Sequence, residues 1–232
     1  AEAWIREGRV KLNGQTVTAL GTHAQPGDRV LVDGKPLPLR PEPVYFLLNK
    51  PLGVVTTLRD PEGRVTVRHL VPRDLPRVFP VGRLDVQSTG LVLLTNDGEL
   101  AARLMHPRHQ MPRIYRVKVR GAPDERALAR LRRGIRLEEG RSAPAEVVVE
   151  KCLPTKTWLR ITVQEGRKHL VRRLCDAVGH PAEKLQRIAI GPLGLGKLSP
   201  GAFRMLAPAE VRIVRRAAGL GRRDAAVSRA RP

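Results

Sequence analysis

Charged side chains stand at the entrance of an apolar strand in the stretch VGRLDVQSTGLVLLTNDGEL, residues 81 to 100. Arg83, Asp85 and Thr89 come directly before the apolar run LVLL. Burying a charge is costly unless it is paired. Asp85 is therefore either a turn residue that faces water or a carboxylate held partly dry for chemistry. Because most loop aspartates belong to turns, the spacing alone favours the turn residue.

Two more side chains and one turn present the same alternative. Tyr115 lies on the apolar side of the alternating segment RIYRVKVRG, so we expect a buried phenol whose hydroxyl needs a partner. Arg172 lies in a helix with an inward apolar stripe. Taken alone, Tyr115 is better explained as an ordinary core tyrosine, and Arg172 as part of a solvated helix face. Arg167 and Lys168 belong to the strand-to-helix turn EGRKH, which is suited equally to binding phosphate or to being a plain charged turn.

The sequence does not indicate a metal or nucleotide site. His106 and His109 frame a Pro-Arg pair, but neither a cysteine nor a carboxylate follows at metal-binding spacing. The run GPLGLG lacks the strand-helix context of a dinucleotide-binding motif. Cys152 and Cys175 form no CxxC pair, and Cys175 has the helical spacing of a core residue. Two unpaired cysteines are consistent with a reducing cytoplasm.

The charge balance predicts a polyanionic partner. The chain has 232 residues, with 43 Lys and Arg against 22 Asp and Glu, a net charge of +21. Nucleic acid is the natural partner for such a chain, and a membrane surface is the alternative. The sequence contains neither an apolar run long enough to span a bilayer nor a signal-peptide pattern. Only 3% of the residues are aromatic, which disfavours base-stacking platforms.

Turn signals and prolines divide the chain into four segments. Residues 1–35 predict a small helix-and-hairpin unit with turns at Asn-Gly and Asp-Gly. The proline-rich stretch 36–43 predicts an extended linker. Residues 44–214 mix strands and helices without a βαβ rhythm, which predicts an α+β domain. Residues 215–232, mostly Arg, Ala and Gly, predict a basic, disordered tail.

Several of these stretches together resemble the bacterial ribosomal RNA pseudouridine synthases. The resemblance rests on GRLD with TGLVLLTNDG, on YFLLNKPLGVVTTLRDPEGR, on RIYRVKV and on EGRKHLVRRLCDAVGHPAEKLQRIAIGPLGLG. It implies a mixed, mainly antiparallel central sheet with flanking helices. AEAWIREGRVKLNG and PGDRVLVDG resemble the alpha-L RNA-binding module, without the helix that usually begins it. That module and the DPEGR loop favour the branch that modifies large-subunit ribosomal RNA.

The resemblance also implies a reaction and its residues. Family members detach uracil from its ribose, turn the base and rejoin it through carbon five, without metal or cofactor. Asp85 matches the catalytic aspartate, Arg172 its cationic partner, and Tyr115 the tyrosine that packs on the flipped base. Arg83 resembles the side chain that fills the space which the base vacates. Two positions depart from the family, with Arg113 in place of a usual lysine and Leu170 in place of a usual Gln or Glu.

The remaining charge is expected to bind the RNA backbone. We expect Arg6, Arg9 and Lys11 of the first unit to contact folded ribosomal RNA, together with Arg167 and Lys168. The predicted protein is a cytoplasmic monomer that acts on an RNA stem-loop or an assembly intermediate. The alternatives are a non-catalytic ribosomal RNA-binding factor, a synthase for small-subunit RNA, and a binder of membrane surfaces or other polyanions.

Overall fold

A computed structural model describes residues 2–25, 27–37, 42–72 and 75–221. The chain divides into two compact units, Ala1–Glu42 and Pro43–Pro232. Half of the predicted linker, residues 38 to 41, lies outside the described residues.

The first unit is a short helix followed by four short strands. Helix α1 (Glu2–Arg6) precedes β1 (Val10–Leu12), β2 (Gln15–Thr16), β3 (Val30–Val32) and β4 (Lys35–Pro36), which form an antiparallel sheet in the order β2-β1-β3-β4. Both tight turns have positive φ at their two central residues, 51° and 89° at Asn13 and Gly14, and 52° and 75° at Asp33 and Gly34. This is the backbone of the type I′ hairpin turn. The predicted helix-and-hairpin unit is confirmed.

The second unit contains the large sheet and four helices in its described residues. Its elements are β5 (Tyr45–Lys50), β6 (Phe79–Val81), β7 (Thr89–Thr95), α2 (Gly98–Met105), β8 (Arg113–Arg120), α3 (Glu125–Arg133), β9 (Arg136–Leu137), β10 (Gly140–Arg141), β11 (Glu146–Leu153), β12 (Lys156–Val163), α4 (Leu170–Ala177), β13 (Ala182–Ile190), β14 (Leu193–Gly194), β15 (Phe203–Met205) and α5 (Pro208–Ala217), with single 3₁₀ turns at Val67–Leu70 and Pro107–His109.

The large sheet has the strand order β11-β12-β8-β13-β7-β5-β15, with β14 beside β13 and β6 beside β7. Its ladders are antiparallel except for β13 with β7, which is parallel. The predicted mixed, mainly antiparallel sheet with flanking helices is therefore confirmed.

The core consists of apolar layers on both sides of β5 and β7 and on one side of the other long strands. Helices α2 and α5 pack on one face of β5 and β7, and the segments around Val54, Val67 and Val78 pack on the other. Helices α3 and α4 cover one face of β8, β11, β12 and β13. Cys175 lies fully buried in this last layer, as predicted, and both cysteines are free.

The parallel ladder requires a glycine at position 90. Gly90 has a φ of 107°, and a Cβ atom there would lie 2.2 Å from the carbonyl oxygen of Arg187. Only glycine combines that conformation with such a close backbone approach. The TG pair of the sequence thus lets β13 lie directly against β7.

The predicted start of the tail at residue 215 is wrong. Helix α5 continues to Ala217, and Ala218 and Leu220 are buried beyond it. The Arg215 guanidinium donates to Asp97 at 2.7 Å, and Asp97 also accepts from the Tyr45 hydroxyl at 2.8 Å. The local composition suggested a tail because the partner of Arg215 is more than a hundred residues away. Residues 222–232 lie outside the described residues.

Candidate active site

An open cleft of about 1040 Å³ lies on the second unit. Asp85 and Tyr115 both line it, so the fold brings together two of the three predicted catalytic residues. Its charged lining is mostly cationic: Asp85 and Glu165 provide the carboxylates, and the basic side chains are Arg59, Arg83, Arg113, Arg167, Lys168 and Arg187. A cleft with this balance is suited to a polyanionic ligand.

Asp85 lies in the loop between β6 and β7 and is both a turn residue and a cleft residue. Its carbonyl oxygen accepts a hydrogen bond from the Ser88 amide at 2.9 Å. The preceding residue is fixed by Thr56, whose hydroxyl donates to the Leu84 carbonyl at 2.7 Å and accepts from the Leu84 amide at 3.2 Å. The Asp85 side chain is 39% exposed. The turn therefore presents a carboxylate to the cleft, and the two explanations offered by the sequence both apply.

Tyr115 stands on β8 as the alternating pattern predicts. Val117 and Val119 are buried on the same side, and Arg116 and Arg120 are exposed on the other. The ring is half-buried and packs against two apolar layers of the core. The tyrosine therefore presents a rigid aromatic wall to the cleft.

The predicted ion pair between Asp85 and Arg172 is not present. Arg172 donates to the carbonyl oxygens of Gln87 at 2.7 Å and Ala182 at 3.0 Å, and it does not line the cleft. Instead, Nε2 of His169 lies 3.2 Å from Asp85 Oδ1. A planar guanidinium can donate to both carbonyls at once. Arg172 thus links the Asp85 loop to β13 rather than pairing with the carboxylate.

His169 owes its position to an unusual backbone conformation. Its φ of 54° and ψ of 22° place it in the left-handed region immediately before α4. Such a conformation is uncommon for a residue with a side chain and is enriched at functional sites. The bend aims the imidazole back at Asp85. In the sequence, His169 belongs to the turn EGRKH, where nothing predicted a role for it.

Lys50 is a buried cation near Asp85 whose role no sequence pattern predicted. It ends β5, is fully buried, and its ammonium donates to the carbonyl oxygens of Val54 at 2.8 Å and Pro51 at 3.0 Å. Burial lowers the pKa of Lys50 from 10.5 to about 8, and the charge of Asp85 opposes that change. The sequence feature that could have indicated Lys50 is a lysine at the end of an apolar strand, directly before a proline.

One buried and one partly buried arginine also line the cleft. Arg187 is 2% exposed, is paired opposite Tyr115 in the sheet, and donates through Nε to the Leu91 carbonyl at 2.8 Å. Its Nη2 atom has no hydrogen-bond partner among the described residues. Arg113 lies two residues before Tyr115, and burial lowers its pKa. Beneath the cleft, the buried Arg187 guanidinium thus keeps one donor unsatisfied.

The predicted RNA-binding side chains differ in how far they are already engaged. Arg83 and Lys168 are exposed and line the cleft. Arg167 lines it too, but donates to the carbonyls of Gly140 and Arg141 and pairs with Glu165. Arg167 therefore anchors the β9–β10 hairpin.

In the first unit, Arg6 and Lys11 are exposed. Arg9 is bound to Asp33 and Glu7 and lies over the Trp4 ring. Its guanidinium thus stabilises the module itself, and the other two cations remain available for a ligand.

The described residues contain neither a candidate metal cluster nor a candidate membrane-spanning helix. No cluster of three or more His, Cys, Asp or Glu side chains in them could hold a metal ion. None of their helices is long and apolar enough to cross a membrane.

Comparison with known proteins gives consistent matches across both units. Residues 44–177 match the family described as RNA pseudouridylate synthase, and residues 1–30 match the S4 domain. An uncharacterized RNA pseudouridine synthase of Aquifex aeolicus is 49% identical over 224 residues, covering 95% of this chain and 89% of that protein. Ribosomal large subunit pseudouridine synthase B of Bacillus subtilis is 43% identical over 224 residues, covering 96% and 91%. A crystal structure of a pseudouridylate synthase has a TM-score of 0.71 at 31% identity, covering 92% of this chain and 91% of that one.

Proposed function

The chain belongs to the RNA pseudouridylate synthase family, and from that premise we propose that it converts a specific uridine of large-subunit ribosomal RNA to pseudouridine. The observation that carries the proposal is the convergence of Asp85 and Tyr115 in one cationic cleft. The large-subunit target is supported by the similarity to the Bacillus subtilis protein, whose name specifies that subunit.

The reaction is an isomerisation whose atoms balance within the nucleotide. The bond between ribose carbon one and base nitrogen one breaks, the base turns, and a bond forms between the same ribose carbon and base carbon five. Carbon five loses its proton and nitrogen one gains one. No oxidant or group donor is consumed, so a site made only of side chains suffices.

Asp85 is the group that initiates bond cleavage in this proposal. Its carboxylate attacks the nucleotide or removes a ribose proton, and either step requires the ionised form. Cations near a carboxylate stabilise its negative charge. The buried ammonium of Lys50 supplies such a charge, and His169 Nε2 lies within hydrogen-bond distance of the carboxylate, at 3.2 Å. Arg172 is a positioning residue, since its hydrogen bond to the Gln87 carbonyl holds the loop that carries Asp85.

Tyr115 and Arg187 hold the detached base. The tyrosine ring provides a stacking face, and its hydroxyl is a candidate to accept the proton from carbon five. The free Nη2 atom of Arg187 is a donor suited to a uracil carbonyl oxygen. Together they orient the base while it turns, which is the step that a loose pocket would fail to guide.

Arg83 replaces the target base in the RNA. A nucleotide must leave its stack before its glycosidic bond can be reached, at a cost of roughly a few kcal/mol. Arg83 is exposed at the cleft, two residues before Asp85, and a guanidinium both stacks on bases and binds phosphate. The S4 domain, with Arg6 and Lys11, contacts the folded RNA around the target.

The proposal extends to the setting of the reaction. The enzyme acts as a monomer in the cytoplasm, on an RNA stem-loop or a precursor of the large subunit. Two free cysteines, one exposed and one buried, are consistent with a reducing compartment.

Substitution of Asp85 by asparagine tests the reaction. Asp85→Asn is nearly isosteric, so we expect loss of isomerisation with RNA affinity within a few-fold of the wild type. Tritium released from carbon five of labelled ribosomal RNA measures turnover, and filter binding measures affinity. The matched control is Asp176→Asn, which changes an exposed carboxylate of α4 outside the cleft. Undiminished turnover by Asp85→Asn would refute the role of Asp85.

The target is tested by a pseudouridine map of ribosomal RNA from cells with and without the gene. A single lost site in the large-subunit RNA is the expected result. A lost site in the small-subunit RNA instead would contradict the target while leaving the reaction intact. No lost site, together with intact RNA binding, would favour a non-catalytic binding factor.

A further inference from the structure

The reverse face of the large sheet carries a cluster of cations that the cleft does not use. This basic sheet face is formed by β8, β12 and β13 around Trp158, and its cations are Arg116, Lys118, Arg120, Lys156, Arg160 and Lys184. Helices α3 and α4 cover only the other face of these strands. Because Tyr115 and Arg116 are adjacent on β8, they point to opposite faces of the sheet. The basic sheet face is therefore separate from the cleft.

Like charges face each other across the strands of this surface. Lys156 is paired opposite Arg120, Arg160 opposite Arg116, and Lys184 opposite Lys118. Like charges directly opposite in a sheet are destabilising. The surface is therefore suited to a ligand that supplies negative charge.

Two carboxylates at strand irregularities neutralise the surface only in part. Glu150 on β11 is shared by Arg116 at 2.8 Å and Arg160 at 3.4 Å. Glu183 on β13 is shared by Lys156 at 2.7 Å and Arg120 at 4.0 Å. The pKa of Glu183 is lowered, first by its hydrogen bond with Lys156 and then by the charges of the surrounding cations.

Trp158 lies at the centre of the surface, and two cations contact its ring. The Arg116 guanidinium lies 4.7 Å from the centre of the Trp158 ring, and the Lys118 ammonium lies 5.9 Å from it. These contacts place both cations over the Trp158 ring on this face of the sheet. Neither Lys118 nor Lys184 has a carboxylate within 4.0 Å among the described residues. Two unpaired ammonium groups thus stand side by side across the β8–β13 ladder.

We propose that the basic sheet face binds the phosphate backbone of the substrate RNA at a segment distant from the target uridine. The inference rests on the proposed function, since the occupant is the same RNA molecule whose target enters the cleft. The cations span about 14 Å along the strands and about 10 Å across them, a flat patch of the size of an RNA backbone segment. Phosphates match the surface because they bring charge at regular spacing and require no apolar pocket.

A charge-removal pair tests the proposal. The double variant Lys118→Gln/Lys184→Gln removes the two ammonium groups without breaking an ion pair. The matched control, Arg126→Gln/Arg133→Gln, removes the same charge from exposed positions of α3, on the covered side of the sheet. Binding of in vitro transcribed large-subunit ribosomal RNA is measured by filter binding over a salt series. Turnover is measured alongside by tritium release from the same RNA at saturating enzyme.

We expect the Lys118/Lys184 variant to bind the RNA roughly 10-fold more weakly near 0.15 M salt, with a log–log salt slope shallower by about 1 for each lost phosphate contact. The control variant should keep the salt slope of the wild type. The variant Lys118→Arg/Lys184→Arg, which keeps both charges, should also bind RNA like the wild type. A double variant that is indistinguishable from the control would overturn the proposal. So would unchanged RNA binding with weakened binding to vesicles of anionic phospholipid.

The test of RNA binding at the basic sheet face can be decided independently of the test of isomerase activity. If the wild type released no tritium, the isomerase activity would be refuted, while the difference in salt slope between the two double variants would still decide whether RNA occupies this surface.

Discussion

Replacing Lys50 with methionine removes a buried ammonium while keeping most of the side-chain volume. The folded protein holds the proton of this group only to about pH 8, whereas an unfolded chain holds it to 10.5. Between those values the unfolded state binds one more proton than the folded state, so the free energy of unfolding of the wild type rises with pH. Below about pH 8 both states are protonated and the burial of charge destabilises the fold.

The structure determines the size of this effect. Each pH unit with one proton of difference changes the free energy of unfolding by about 1.4 kcal/mol. From about pH 8 to 10.5 the wild type should therefore gain about 3 kcal/mol relative to Lys50→Met. Lys50 is fully buried, so solvent screening does not reduce the figure.

Urea denaturation at a series of pH values provides the measurement. The chain has two tryptophans, and Trp4→Phe in every variant leaves Trp158 to report on the second unit. The exposed lysine variant Lys197→Met controls for the loss of one positive charge. A constant difference between the wild type and Lys50→Met across this range would refute the burial of a charged Lys50.

The variant Asp85→Asn provides an independent test in the same series of urea denaturations. Its charge raises the pKa of Lys50, against the effect of burial. In Asp85→Asn that support is absent, so the rise in stability should begin at a lower pH than in the wild type. An identical onset in both proteins would mean that the two groups do not interact across the cleft.

Three further substitutions test the framework around the site. Arg215→Met leaves the buried Asp97 carboxylate without its cation and should lower the free energy of unfolding by about 3 kcal/mol, whereas a dispensable residue would cost nothing measurable by urea denaturation. Gly90→Ala places a methyl group against the Arg187 carbonyl and should cost at least about 2 kcal/mol, with soluble yield and urea midpoint as the measurements. Arg172→Lys can donate to one backbone carbonyl at a time and should lower kcat while leaving RNA affinity nearly unchanged; equal losses in both would contradict its positioning role.

Local patterns predicted the elements whose formation depends on neighbouring residues. The alternation around Tyr115 places one side in the core and one in solvent, and this is how β8 lies. The Asn-Gly and Asp-Gly turns have the positive φ values that their residue types favour. Asp85 could be singled out only because a family resemblance outweighed its ordinary explanation as a loop aspartate.

Contacts between distant segments were not predictable from the sequence. Arg172 was expected on Asp85, but two backbone carbonyls that need a donor bind it instead. Arg215 looks like part of a basic tail until Asp97 is seen beneath it. His169, at the start of α4, contacts Asp85, and the charge of Lys50, at the end of β5, acts on it, yet no periodicity connects these positions. Which cation faces which carboxylate is a property of the tertiary structure.

The central position of β13 has a consequence for how the protein is made. Strands β5 to β7 are contiguous in sequence, and so are β8 to β12, so each group can assemble from local contacts as it leaves the ribosome. β13 is synthesised after both, yet it lies between them and pairs with β7 and β8. We therefore expect its insertion, together with the later pairing of β15 with β5, to be a late, long-range step of folding that brings Arg187 beneath the cleft. A nascent chain that ends before Ala182 has both halves but no completed cleft, so the enzyme gains its activity only when synthesis is nearly finished.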